Sequence, residues 1–137
     1  RQIDKIDLDI EAAVRFLQGQ EATKVFLVGA SMGGTASLRV ASRQEVAGIV
    51  TLSALPETEG LEAMLGIMDI TAPKLFIAAR EDTNGFYLRS VDLFDQVSLE
   101  PKERYIVEGK AHGTDLLSGD SGPRVQGLIV DFLGRYR

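Results

Sequence analysis

The chain of 137 residues has no cysteine and a single histidine. Without cysteine there is no disulfide, no thiolate metal site, no cysteine nucleophile and no thiol redox chemistry. One histidine excludes multi-histidine metal centres, and the carboxylates lack calcium-loop spacing, so neither metal nor cofactor is expected. No apolar run approaches the roughly 20 residues that span a bilayer. Positive charge is also short: 15 Lys and Arg against 20 Asp and Glu leave a net charge of −5. The basic residues are scattered, with no patch to hold a phosphate backbone, so nucleic acid is not an expected partner. A signal-peptide pattern is lacking too, and the expected location is cytoplasmic. The start at Arg1-Gln2-Ile3, with no Met, reads as a processed or cut terminus.

What is present has the balance of a soluble globular protein, 45% hydrophobic and 26% charged. A compact domain of this length buries about two-thirds of the surface of its unfolded chain. No internal repeat, low-complexity tract or dividing linker interrupts the sequence, so residues 1–137 are expected to form one domain.

Ile3, Ile6, Ile10, Ala13, Val14 and Leu17 recur at three- and four-residue steps and stop at Gly19, predicting an amphipathic helix. Asp4, Asp7, Asp9 and Glu11 around them read as its solvated face. Apolar strands come next at 24–28, 46–53, 74–79 and 103–107. Between them stand a helix-like segment at 35–41, helical spacing of Leu61, Met64, Leu65 and Met68 read as core, and a helix over 87–94. The last helix presents Val125, Leu128, Ile129, Phe132 and Leu133 on one face, with Ser121 placed to cap it and Pro123 in its first turn. Continuous apolar strands joined by helical crossovers imply parallel pairing. The expected fold class is α/β, a parallel sheet of about four strands layered by helices.

Where the first strand gives way to a helix stands Gly29-Ala30-Ser31-Met32-Gly33. A G-x-S-x-G pattern arises by chance in roughly one such chain in ten, so context decides its meaning. Here the serine lies at a strand-to-helix turn, which forces it clear of the sheet edge, with glycines on either side for close backbone approach. Ser31 is the candidate nucleophile. A P-loop would need Lys followed by Ser or Thr, and Gly34 is followed by Thr35-Ala36. The dinucleotide fingerprint fails because Ser31 stands at its second glycine.

A serine nucleophile needs a base, and only His112 is available. It comes after the fourth strand, so a parallel sheet places it on the same edge as Ser31. A lone loop histidine is by default solvated, by roughly two to one, unless a partner exists. The third strand supplies one in Ala79-Arg80-Glu81-Asp82, with Asp82 the preferred acid. Glu81, able to pair with Arg80, and Glu57 after the second strand are the alternatives. The order Ser31, Asp82, His112 is that of a Ser-acid-His arrangement on such an elbow.

On these residues the chain resembles the α/β-hydrolase family. Gly29-Ala30-Ser31-Met32-Gly33 looks like the elbow after the family's fifth strand, Ala79-Arg80-Glu81-Asp82 like the acid loop after the seventh, and Ala111-His112-Gly113 like the histidine loop after the eighth. Residues 46–53 then correspond to the sixth strand and 3–17 to the helix before the fifth; many members have Gly where Ala79 stands. The resemblance implies a truncated α/β-hydrolase-like fold, its C-terminal half, acting as a serine hydrolase on a small-molecule ester or related acyl bond. It also implies an oxyanion donor in the backbone N–H of Met32, with the second donor carried by a loop of the absent half. Losing one such donor costs about 10²–10³ in rate, so the alternative is a catalytically weak domain serving as an interaction module. Its edge strand at 25–28 is then expected to bind a second copy or the missing half. Gly85, Phe86 and Tyr87 are candidates to line a pocket, but an aromatic pair at a helix start is more often core, and no specificity is assigned to them.

Overall fold

The computed structural model describes residues 3–137. The main elements are α1 (Ile6–Gly19), β1 (Phe26–Ala30), α2 (Met32–Ala41), β2 (Gly48–Leu52), β3 (Glu57–Thr58), β4 (Leu61–Glu62), β5 (Lys74–Ala79), α3 (Phe86–Val97), β6 (Lys102–Val107) and α4 (Gly122–Tyr136). Four strands form one parallel sheet in the order β1-β2-β5-β6. β3 and β4 form a separate antiparallel pair.

The apolar sequences of β2 and β5 have their explanation in this order: both are central, and every residue in them is buried. Successive side chains alternate between two faces of the sheet. Leu27, Ile49, Phe76 and Ala78 meet Leu38 and Val40 of α2 and Val91 and Phe94 of α3. On the other face Val50, Leu52, Leu75, Ile77 and Ala79 meet Val125 and Phe132 of α4. The outer strands differ: β6 is only partly buried, and Val28 of β1 is 49% exposed. No helix among the described residues is long and apolar enough to cross a membrane.

α1, the amphipathic helix expected to stop at Gly19, packs against α2, and one expectation about it is corrected. Only Val14 of its apolar series is fully buried, and Leu17 is 45% exposed. Asp7, expected on the solvated face, is 3% exposed. It accepts from Arg39 Nε at 3.0 Å and Arg43 Nη2 at 2.6 Å, while Arg43 Nε reaches Glu11 at 2.7 Å. A buried carboxylate requires such partners, and this one ties α1 to the helix that carries Ser31 at its start. The hydrogen bonds to Asp7 and Glu11 raise the Arg43 pKa above its ordinary value.

The helical reading of Leu61, Met64, Leu65 and Met68 is overturned. Glu59 and Gly60 turn the chain at positive φ, Glu57 accepts from the Gly60 N–H, and Glu62 accepts from the N–H groups of Met64 and Leu65. These local side-chain bonds replace helical ones. Leu61, Ala63, Ile67 and Ile70 point inward, while Leu65 is 91% exposed. Ser121 does occupy the N-cap of α4, but its hydroxyl makes no capping bond.

Candidate active site

A parallel sheet delivers the C-terminal ends of all its strands to one rim. Ser31 stands there directly after β1, at φ 52 and ψ −122, a strained conformation for a residue with a Cβ. Its N–H is tied to Leu52 O of β2 at 2.8 Å. The turn is tight because of Gly29 and Gly34: a Cβ on Gly29 would lie 2.4 Å from Gly33 O, and one on Gly34 2.8 Å from Ala54 Cβ. Gly33, expected to serve the close approach with its own missing side chain, is open, with nothing within 4 Å of a Cβ there. Met32 opens α2, where a backbone N–H has no acceptor within the helix. The N–H groups of Gly34 and Thr35 instead turn to Ser31 O, at 2.9 and 3.2 Å.

β5 and β6 are neighbours, and their pairing continues past the strand ends into the two loops. Arg80 N–H donates to Val107 O at 2.8 Å and Glu81 N–H to Gly109 O at 2.9 Å. Arg80 pairs with Glu108 at 2.8 Å rather than with Glu81. This register brings Asp82 Oδ2 to 2.6 Å from His112 Nδ1. Asp82 is buried, and its other oxygen accepts from Thr83 Oγ1 at 2.9 Å. Of the alternative acids, Glu81 is exposed and Glu57 is occupied in the β3–β4 turn.

His112 comes after β6, three strands from β1, so its loop must cross about 14 Å of rim at roughly 4.8 Å per strand. It does so, bringing Nε2 to 3.2 Å from Ser31 Oγ. A carboxylate oxygen only accepts, which assigns the proton to Nδ1 and leaves Nε2 to accept from the Ser31 hydroxyl. The crossing is anchored midway by Ser53, just beyond the end of β2. Its Oγ accepts from the Gly113 N–H at 2.9 Å, next to His112. Ser53 is fully buried and held at φ 55, with its N–H on Ile77 O at 2.9 Å. Sequence reasoning took Ser53 for the last residue of a strand. Its signal was a hydroxyl ending an apolar strand on the shared rim.

The aromatic pair expected in the core also lies at the site. The Tyr87 ring sits on the His112 imidazole, with centroids 4.7 Å apart and planes 54° to each other. Phe86 meets Tyr87 edge to face at 5.0 Å and is 39% exposed. Burial, and then the charge of Asp82, push the Tyr87 phenol above its ordinary value. The Ser31 side chain opposes this, close enough to act on the phenol as a hydrogen-bond partner. Thr83, Asn84 and Gly85 take left-handed conformations in succession, and this turn aims the start of α3 at His112. Among the described residues, no cluster of three or more His, Cys, Asp or Glu could hold a metal ion.

No family model matches the chain, and no curated protein matches it in sequence. Solved structures do. It is similar to the esterase domain of a Rhodothermus marinus protein at 21% identity and TM-score 0.79, over 93% of this chain and 67% of that one. A monoacylglycerol lipase of Paleococcus ferrophilus matches at 15% identity and TM-score 0.81, over 100% of this chain and 77% of that one. An α/β serine hydrolase homologue from Coxiella burnetii matches at 24% identity and TM-score 0.71, over 91% and 57%. At these identities the likeness is one of fold, and the chain spans 57 to 77% of the length of these three structures. Its four parallel strands and flanking helices match the α/β-hydrolase fold of these structures, of which the chain covers a part.

Proposed function

We propose that residues 1–137 act as one cytoplasmic domain, a serine hydrolase of small-molecule esters or related acyl bonds. Ser31 Oγ attacks the acyl carbon as its proton passes to His112 Nε2. Asp82, on Nδ1, holds the imidazole in the accepting tautomer and stabilises the imidazolium. The Met32 N–H donates to the oxyanion. His112 then returns the proton to the leaving group as the carbon–leaving group bond breaks. Water, deprotonated by the same nitrogen, releases the acyl group and restores Ser31. The observation that carries this reading is the unbroken line from Asp82 Oδ2 through His112 to Ser31 Oγ, 2.6 Å and 3.2 Å. A fluorophosphonate probe should label the folded protein at Ser31 and leave Ser31→Ala unlabelled. Equal labelling of both, or none of either, rejects the reading.

One further observation favours a second reading, an interaction module. Among the described residues no strand pairs with the outer edge of β1, which is apolar. Phe26 and Val28 line a groove of about 510 Å³ with Val130, Leu133, Gly134 and Arg137. An open apolar edge of this kind recruits another chain, a second copy or the remainder of an α/β-hydrolase sheet. A monomeric mass at high concentration, with freely exchanging amides at 26–28, rejects it.

A further inference from the structure

One side chain outside the Asp82–His112–Ser31 line packs on its middle member. The ring of Tyr87 packs on the His112 imidazole at 4.7 Å, its phenol feels the charge of Asp82, and it stands beside the Ser31 side chain. The backbone before it is held unusually: Thr83 at φ 51, Asn84 at φ 54 and Gly85 at φ 85. Two consecutive non-glycine residues in the left-handed region are strained backbone. Strain of this kind persists where surrounding contacts over-determine it, and here Thr83 Oγ1 donates to Asp82, Asn84 N–H to Glu81 O, and Arg89 to Asn84 O.

We propose that Tyr87 is a catalytic residue of the same site, its hydroxyl donating a hydrogen bond to the oxyanion formed when Ser31 Oγ adds to the acyl carbon. The proposal rests on the hydrolase reading above. The oxyanion is two bonds from Ser31 Oγ, and that oxygen lies 3.2 Å from the imidazole on which the Tyr87 ring packs. No proton is transferred in this step. The phenol keeps its hydrogen while the carbonyl π electrons move to oxygen, and the bond is lost again when the carbonyl re-forms. A phenol whose pKa lies above its ordinary 10.0 remains a donor throughout the neutral range. The ring has a separate effect: packed on the imidazole, it limits rotation of His112 away from Ser31.

The two contributions separate by substitution. Tyr87→Phe keeps the ring and deletes the donor, whereas Tyr87→Leu deletes both. With a short-chain aryl ester, Tyr87→Phe should lower kcat about a hundredfold with KM little changed, the mark of an interaction made only in the transition state. Tyr87→Leu should lose at least as much. In the spectrum of the folded protein, the carbon-bound imidazole protons of His112 should also lose the ring-current displacement that Tyr87→Phe retains. If Tyr87→Phe keeps kcat within about twofold of the parent while Ser31→Ala abolishes turnover, Tyr87 is not a donor and the hydrolase reading stands. Absence of Ser31-dependent turnover in the parent overturns both.

Discussion

The two ends of the four-stranded sheet are built differently. At the C-terminal rim stand Ser31, Ser53, Thr83 and Asn84, four of the six non-glycine residues with positive φ among those described. The opposite end has one, Glu21, in the turn before β1. Its notable residue is instead Lys74, the first of β5, fully buried with Nζ donating to Leu99 O at 2.9 Å and Pro101 O at 3.4 Å. Each strained residue at the rim withholds about 1–3 kcal/mol from stability, and three of them, Ser31, Ser53 and Thr83, belong to the Ser31–His112–Asp82 line, anchor its histidine loop or donate to its acid. The opposite end satisfies its one awkward group with fixed backbone carbonyls. The proposed hydrolysis at one end and stability at the other should therefore respond separately to mutation.

The largest effect tests this at Ser31. Ser31→Gly removes the nucleophile while relaxing a backbone held at φ 52. Ester hydrolysis should fall by about 10⁵-fold or more, and unfolding by denaturant should require about 1 kcal/mol more. A less stable variant would mean that the turn is not strained. Asp82→Asn should come next with about a 10⁴-fold loss in kcat. An amide can donate to Nδ1, which moves the imidazole proton to Nε2 and leaves nothing to accept from Ser31. Retention of full kcat would remove Asp82 from the mechanism.

The parts legible in the sequence were those set by a single strand and the few residues after it. β5 reads as apolar throughout because both of its faces are covered. Ser31, Asp82 and His112 could be named because each comes just after such a strand and parallel pairing gathers strand ends. The contact between loops could not be read. Ser53 and Gly113 are 60 residues apart, and neither residue type announces the other. Tyr87 looked like core because a helix pattern does not reveal a left-handed turn that redirects its first residues. Asp7 meets Arg39 and Arg43 only once α1 lies on α2. At 57–68, carboxylates bonding to nearby N–H groups overrode the helical periodicity, which placed Leu61 and Met64 rightly at the core but Leu65 and Met68 wrongly.

Ser53 offers a finer division within the rim. Ser53→Ala keeps the strain and leaves the buried Gly113 N–H without its acceptor, costing about 1–3 kcal/mol of stability. Ser53→Gly loses the same hydroxyl but relaxes φ 55, so it should be the more stable of the two by about 1 kcal/mol. In both, kcat should fall about tenfold or more, a 1.4 kcal/mol or larger loss of positioning at His112. Equal kcat in parent and both variants would show that the histidine loop crosses the rim unaided.

The smallest effect on activity belongs to Lys74, and it sharpens the contrast from the other end. Burial is the main cause that lowers its pKa from 10.5, Glu100 opposes this, and Lys102 adds to it. Between the lowered folded value and the ordinary one, the unfolded chain holds more protons than the folded one. Stability must therefore rise with pH through that alkaline window. Lys74→Met removes the titration and also the donor on Leu99 O. Its unfolding free energy should be lower by about 1–3 kcal/mol at neutral pH, without the alkaline rise, while kcat on the aryl ester stays at the parent value. A fall in kcat for folded Lys74→Met would mean that the two ends are coupled through β5, whose last residue lies three before Asp82, and that the division between rim and base is not one of function.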